Sequence, residues 1–222
     1  MSRRYRIRIM TTVFTLLIII AGALSSQPIT WPWQESTPQV VSVKTSGVIK
    51  KLDSLAVKGR APKTGYTRTQ FGDGWAEKDG CDTREIILAR DLKNTVIKNC
   101  KVMSGTLEDP YTGKTILFMR GPQTSQAVQI DHVVALSDAW QTGAQQLSYT
   151  IRETLANDPL ELLAVDGPAN MQKSDGDAAT WLPPHKSFRC QYVSRQVEVK
   201  VKYHLWVTSA EKMAIKKVLQ SC

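Results

Sequence analysis

A chain of 222 residues has room for one domain with a sizeable core. Apolar content of 42% and charged content of 22% are those of a globular protein, which argues against a disordered or fibrous one. The net charge of +9 is concentrated: without Arg3, Arg4, Arg6 and Arg8, 25 basic side chains face 20 acidic ones. A mildly basic remainder suits a polyanionic partner, yet many proteins are basic without one, so charge alone assigns no function.

Those four arginines precede an apolar run from Ile9 to Leu24 that closes on Ala21-Gly22-Ala23. The pattern predicts an export signal over residues 1–26. The run is near the lower limit for a membrane span, about 17–25 residues, so an uncleaved anchor facing outside is the alternative. No cysteine follows it to carry a lipid. Export gives the four cysteines Cys81, Cys100, Cys190 and Cys222 meaning, because an even number in an oxidising compartment pairs. No close CxxC pair suggests zinc. Three connectivities are possible. Cys81–Cys100 with Cys190–Cys222 is favoured, since each closes a short loop and leaves the middle of the chain free. Each such crosslink would contribute roughly 3–4 kcal/mol.

Residues 27–46, with Pro28, Pro32 and Pro38, read as a tether, and a short helix is expected from Val48 to about Val57, within a linker region 27–60. Phe71-Gly72-Asp73-Gly74-Trp75 reads as loop. Asp82 or Thr83 can cap a helix carrying Ile86, Ile87, Ala89 and Arg90. Glu108 to Gly113 is a turn signal, and Ile116 to Met119 a short strand. Gln126 to Leu136 is predicted as a strand, Ser137 to about Tyr149 and Ile151 to Ala156 as helices capped by Asp138 or Thr150, and Leu160 to Val165 as a strand. The turn Asp166-Gly167-Pro168 should lead into a helix from Ala169. From Val193 to Val207 valines and other apolar residues occupy odd positions and polar ones even positions, which predicts a long strand with one wet face. Thr208-Ser209-Ala210-Glu211 is a capping box for a final helix.

Two stretches carry chemistry: Ile130-Asp131-His132-Val133-Val134-Ala135-Leu136, and Asn170-Met171-Gln172-Lys173-Ser174-Asp175. Hydrolysing a phosphodiester calls for a base that makes hydroxide and a cation that neutralises the phosphoryl and leaving oxygens. Asp131 and Asn170 offer the hard oxygen donors that Mg²⁺ prefers, and His132 can serve as base if Nδ1–H is held so that Nε2 faces the water. Strand neighbours point to opposite faces, so Asp131 and His132 can share a site only at a strand end or bulge. The bland reading of an Asp-His pair alone is a surface Asp beside a core-capping His.

Taken together, these residues resemble an HNH endonuclease of the ββα-metal fold. The chain is especially similar to secreted bacterial HNH proteins related to the C-terminal nuclease domain of GmrSD-type restriction enzymes. Leu162 to Asp175, Trp181-Leu182-Pro183-Pro184, Cys190-Gln191-Tyr192, Cys81-Asp82-Thr83-Arg84 and Asp109-Pro110-Tyr111-Thr112-Gly113 extend the likeness over residues 65–222. The resemblance implies an α+β fold, an HNH domain over residues 61–222 with a long C-terminal strand and helix, and hydrolysis of DNA or RNA to 5′-phosphate and 3′-hydroxyl ends. It makes His132 the general base, and Asp131 and Asn170 the ligands of one divalent ion: Mg²⁺, with Mn²⁺ or another as alternatives. It puts Lys173 one helical turn beyond Asn170, where an ammonium could meet a phosphate; an ordinary exposed lysine is the rival. No small-molecule cofactor, membrane contact only through a retained amino terminus, and a monomer are expected. One position departs. Where the family has an asparagine nine residues before the metal-binding one, this chain has Glu161, which cannot donate as an amide does and could become a third ligand or weaken the hold on His132. A degenerate, non-catalytic nucleic-acid-binding or surface module is therefore the alternative function.

Overall fold

In the computed structural model, residues 45–222 are described, so the expected export signal and most of the tether lie outside the described residues. Two antiparallel strands, β6 (Val128–His132) and β7 (Leu162–Asp166), pair in register from Val128↔Asp166 to His132↔Leu162. Because side chains alternate across a strand, this ribbon divides two apolar clusters. Val128, Ile130, Leu162 and Ala164 face the smaller cluster. Leu163 and Val165 face the larger one.

The smaller cluster is closed by helix α2 (Thr83–Asp91), contributing Ile87 and Leu88, and by the antiparallel sheet β3 (Lys93–Lys98), β4 (Lys101–Glu108) and β5 (Thr115–Met119). Asp82 caps α2 by accepting the Glu85 N–H at 2.8 Å. A two-residue turn joins β3 to β4, with Asn99 and Cys100 both at positive φ, 48° and 61°. That conformation fits the right-handed twist of the hairpin. A two-stranded ribbon, β1 (Glu77–Lys78) and β2 (Cys81–Asp82), stands beside it, and the Cys81–Cys100 disulfide ties the two hairpins.

The larger cluster collects α1 (Thr45–Ser54), α3 (Leu136–Gln141), α4 (Tyr149–Ala156), α5 (Gly167–Lys173), α6 (Arg189–Lys202) and α7 (Ser209–Gln220). Val48, Leu52 and Leu55 pack α1 and the residue after it into this core. The long predicted helix after Ser137 is broken at Gly143, which adopts φ 132°, and α4 is capped by Ser148 rather than Thr150. The fold is thus α+β with two disulfides, the second joining Cys190 to Cys222.

The strand expected over Val193–Val207 is instead the helix α6. Tyr192, Val193, Gln196, Val197, Val199 and Lys200 are buried, a stripe of 3.6-residue period. The valines at odd numbers satisfied both periods over a short window. What decided between them were two even-numbered polar residues that the core can satisfy. Gln196 Nε2 donates to the Val133 carbonyl at 2.8 Å, and Lys200 Nζ donates to Asp138 Oδ2 at 3.1 Å and Glu211 Oε2 at 2.9 Å. Glu211 also completes the capping box expected with Thr208. Burial pushes the Glu211 carboxyl up to about 7, with Asp138 adding to the rise and Lys200 opposing it. The folded chain therefore holds this proton more tightly than the unfolded one. That contribution to stability is complete below a pH of about 4.5 and is lost as pH rises through about 7. Wild type should lose stability relative to Glu211→Gln between pH 5 and 8, by on the order of a few kcal/mol, in thermal or urea unfolding. A pH-independent difference between the two proteins would refute it.

Candidate active site

The β6–β7 hairpin and α5 hold the chemistry-bearing residues. Asp166 caps α5 by accepting the Ala169 N–H at 2.8 Å, with Pro168 in the first turn. Gly167 is required by space rather than by φ: a Cβ there would lie 2.1 Å from the Gln126 carbonyl oxygen. This close approach sets α5 against the start of β6. It brings Asn170 beside Gln129, whose Oε1 accepts from Asn170 Nδ2 at 2.9 Å. The amide oxygen of Asn170 is left without a partner among the described residues.

Asp131 and His132 leave the strand on opposite faces, as pleating demands. Both still line one cleft of about 310 Å³, because β6 ends at His132. Asn170, Ser137 and Asp175 share that cleft, and Lys63, Tyr66 and Arg68 also line it. His132 lines a second cleft of about 320 Å³ too, together with Arg68, Gly72, Asp73, Gly74 and Trp75.

Asp131 is held from two sides. The Tyr111 hydroxyl donates to its Oδ2, and Lys173 Nζ donates to its Oδ1 at 2.9 Å. Burial, reinforced by Asp131, keeps the Tyr111 phenol well above its ordinary range, so it remains an O–H donor. Lys173 also donates to the His132 carbonyl at 2.8 Å, and its side chain is 0% exposed. The structure therefore places its ammonium behind Asp131, where it ties carboxylate to backbone; it is not the exposed lysine that spacing alone allowed.

The imidazole of His132 stacks on Trp75, with ring centroids 5.7 Å apart and planes 5° from parallel. Its Nε2 lies 3.0 Å from the Ala156 carbonyl. A carbonyl can only accept, so Nε2 carries the proton and Nδ1 is the basic nitrogen. The expected tautomer is reversed, while the principle of one held nitrogen and one available nitrogen stands. Burial, followed by the charge of Arg68, lowers the ring to about 3, which keeps it neutral.

Glu161 does not line the cleft. It is fully buried, its Oε2 accepts the Val134 N–H at 3.3 Å, and its backbone carbonyl accepts the Val133 N–H at 2.9 Å. Burial raises its carboxyl well above the usual range. Through Oε2 and its backbone carbonyl, both acceptors, Glu161 braces the loop after His132, while its Oε1 is buried without a partner among the described residues. Asp175 meets Lys63 Nζ at 3.0 Å and Ser137 Oγ at 3.2 Å, a local bracing role. His185 bonds Ser187 and lies over Gly113, and His204 is exposed at the end of α6; neither enters the site. Tyr111, Trp75 and Gln129 were not legible as site residues, although Phe71-Gly72-Asp73-Gly74-Trp75 and Asp109-Pro110-Tyr111 stood out as loop and turn.

Residues 82–218 match the family described as GmrSD restriction endonucleases, C-terminal domain. The chain belongs to that family. It is also 36% identical over 188 residues to an uncharacterized secreted protein of Arthroderma benhamiae, covering 83% of this chain and 88% of that one. The relative is fungal, not one of the bacterial proteins that the sequence resembles. No solved structure matches the chain. As a member of a nuclease family, the chain has nucleic acid as its implied substrate. It is a secreted protein, as its relative is, and among the described residues no helix is long and apolar enough to cross a membrane.

Proposed function

We propose that this secreted protein is a divalent-metal-dependent HNH endonuclease that hydrolyses phosphodiester bonds of DNA, with RNA a possible second substrate, and that β6, β7 and α5 are its ββα-metal core. The observation that carries this reading is an imidazole, oriented by Ala156 and Trp75, lining the same cleft as Asp131 and Asn170.

The donor set fits a hard cation. The Asn170 amide oxygen is unpartnered among the described residues, and each Asp131 oxygen keeps a second lone pair beyond those used by Tyr111 and Lys173. Among the described residues no three His, Cys, Asp or Glu side chains gather to hold an ion. A Mg²⁺-like ion, content with few protein ligands and several waters, suits that sparse set better than zinc. Bound by Asp131 and Asn170, it supplies charge neutralisation at the phosphoryl and leaving oxygens.

The residues of the chain do the rest. His132 Nδ1 takes a proton from water, and the resulting hydroxide attacks phosphorus in line. The bond to the 3′-oxygen breaks; the departing 3′-oxyanion takes a proton from water and His132 returns its own to solvent, leaving a 5′-phosphate and a 3′-hydroxyl. Tyr111 and Lys173 fix Asp131, Glu161 fixes the turn after His132, and Trp75 stops the ring from rotating. Incubating purified protein with supercoiled plasmid and Mg²⁺ should give nicked and linear product, and EDTA should abolish it. Binding without nicking under any divalent ion would favour the non-catalytic module, and cleavage that persists in EDTA would exclude metal dependence.

A further inference from the structure

We propose that Arg68, from the lining of the cleft it shares with the β6–α5 residues, binds the non-bridging oxygens of the phosphodiester being cleaved. This rests on the reading of the cleft as a phosphodiester site. Lys63, Tyr66 and Arg68 line the same cleft as Asp131, His132 and Asn170, and Arg68 also lines the second cleft with His132 and Trp75. Arg68 thus stands where the two clefts meet at His132.

The neighbouring cations are committed. Lys173 is enclosed against Asp131, and Lys63 is paired with Asp175 at 3.0 Å and lies over the Tyr66 ring at 5.5 Å. Arg68 is exposed, and its side chain makes no hydrogen bond or ion pair with the described residues. With Asp131 and Asp175 compensating those two lysines and Asp73 acidic in the second cleft, Arg68 is the cation of the lining left to meet a phosphate. A planar guanidinium presents paired donors that match two phosphate oxygens, which an ammonium cannot do. Arg68 also lies upstream of the family-matched residues 82–218, so the cation is supplied from outside that segment. The rival reading is a solvated surface arginine, and it makes the opposite forecast for cleavage and for the salt dependence of binding.

Two variants of the full chain, Arg68→Ala and Arg68→Lys, test this. Plasmid cleavage with Mg²⁺ gives kcat and KM, and anisotropy of a labelled DNA duplex in EDTA gives affinity as a function of salt. Arg68→Ala should lower kcat/KM roughly 10²-fold, as loss of one preorganised charge donor does, and Arg68→Lys should recover only part of it. The slope of log affinity against log salt should become shallower by about 0.9 in Arg68→Ala, the signature of one lost phosphate contact. Unfolding temperatures should match wild type, because the side chain is exposed. Wild-type kinetics with an unchanged slope would overturn the proposal. If wild type binds DNA but cuts none, the catalytic reading fails while the slope still decides the role of Arg68. If wild type does not bind, both fall.

Discussion

Replacing His132 by alanine should lower the rate of plasmid cleavage by about 10²–10⁴, the usual worth of a positioned general base. The loss should appear in kcat more than in KM, because the ring serves proton transfer more than substrate affinity. The imidazole is enclosed between Trp75 and the Ala156 carbonyl, so its removal leaves a ring-sized space opening on two clefts. Added imidazole should therefore restore part of the rate to His132→Ala and nothing to wild type. A structural role alone predicts no such rescue. Because burial and Arg68 hold the ring at about 3, wild-type cleavage should not show the fall near pH 6.5 that a free histidine imposes. An alanine variant that cuts as fast as wild type would remove His132 from the chemistry.

Local signals carried well from sequence to structure, and long-range ones did not. The Thr208–Glu211 capping box, the Asp82 cap and the Asp166-Gly167-Pro168 entry to α5 all depend on residues within one helical turn, and all are observed. The local pattern of α6 spells a strand because the outcome depends on Asp138, Val133 and Glu211, which lie far away or beyond its end yet satisfy Lys200 and Gln196. The same distance hid the site's supports. Tyr111 and Trp75 lie in stretches that locally spell turn and loop, and only tertiary packing sets one against Asp131 and the other against His132. By its residue type alone Glu161 is a departure that adds charge. Its complete burial keeps it out of the cleft and raises its carboxyl well above the usual range, which no local pattern could show.

Lys173→Met should destabilise the fold by about 3–5 kcal/mol, the largest effect on stability expected of a single change at the site. The ammonium is wholly enclosed, and its donors reach Asp131 Oδ1 at 2.9 Å and the His132 carbonyl at 2.8 Å. Methionine fills a similar volume but leaves the carboxylate with only the Tyr111 hydroxyl and the His132 carbonyl without its donor. An unpaired buried charge costs far more than the net worth of the pair, so the defect should be relieved by removing the second partner. Asp131→Asn combined with Lys173→Met should therefore be less destabilised than the sum of the two single variants, by 1 kcal/mol or more on the order of typical coupling energies. Urea unfolding of the four proteins measures this directly. Cleavage separates the two roles of Asp131: the double variant should regain stability without regaining activity, because an amide at 131 does not replace a carboxylate ligand. Additive stabilities would mean that the pair contributes little, and activity returning with stability would mean that Asp131 serves the fold alone.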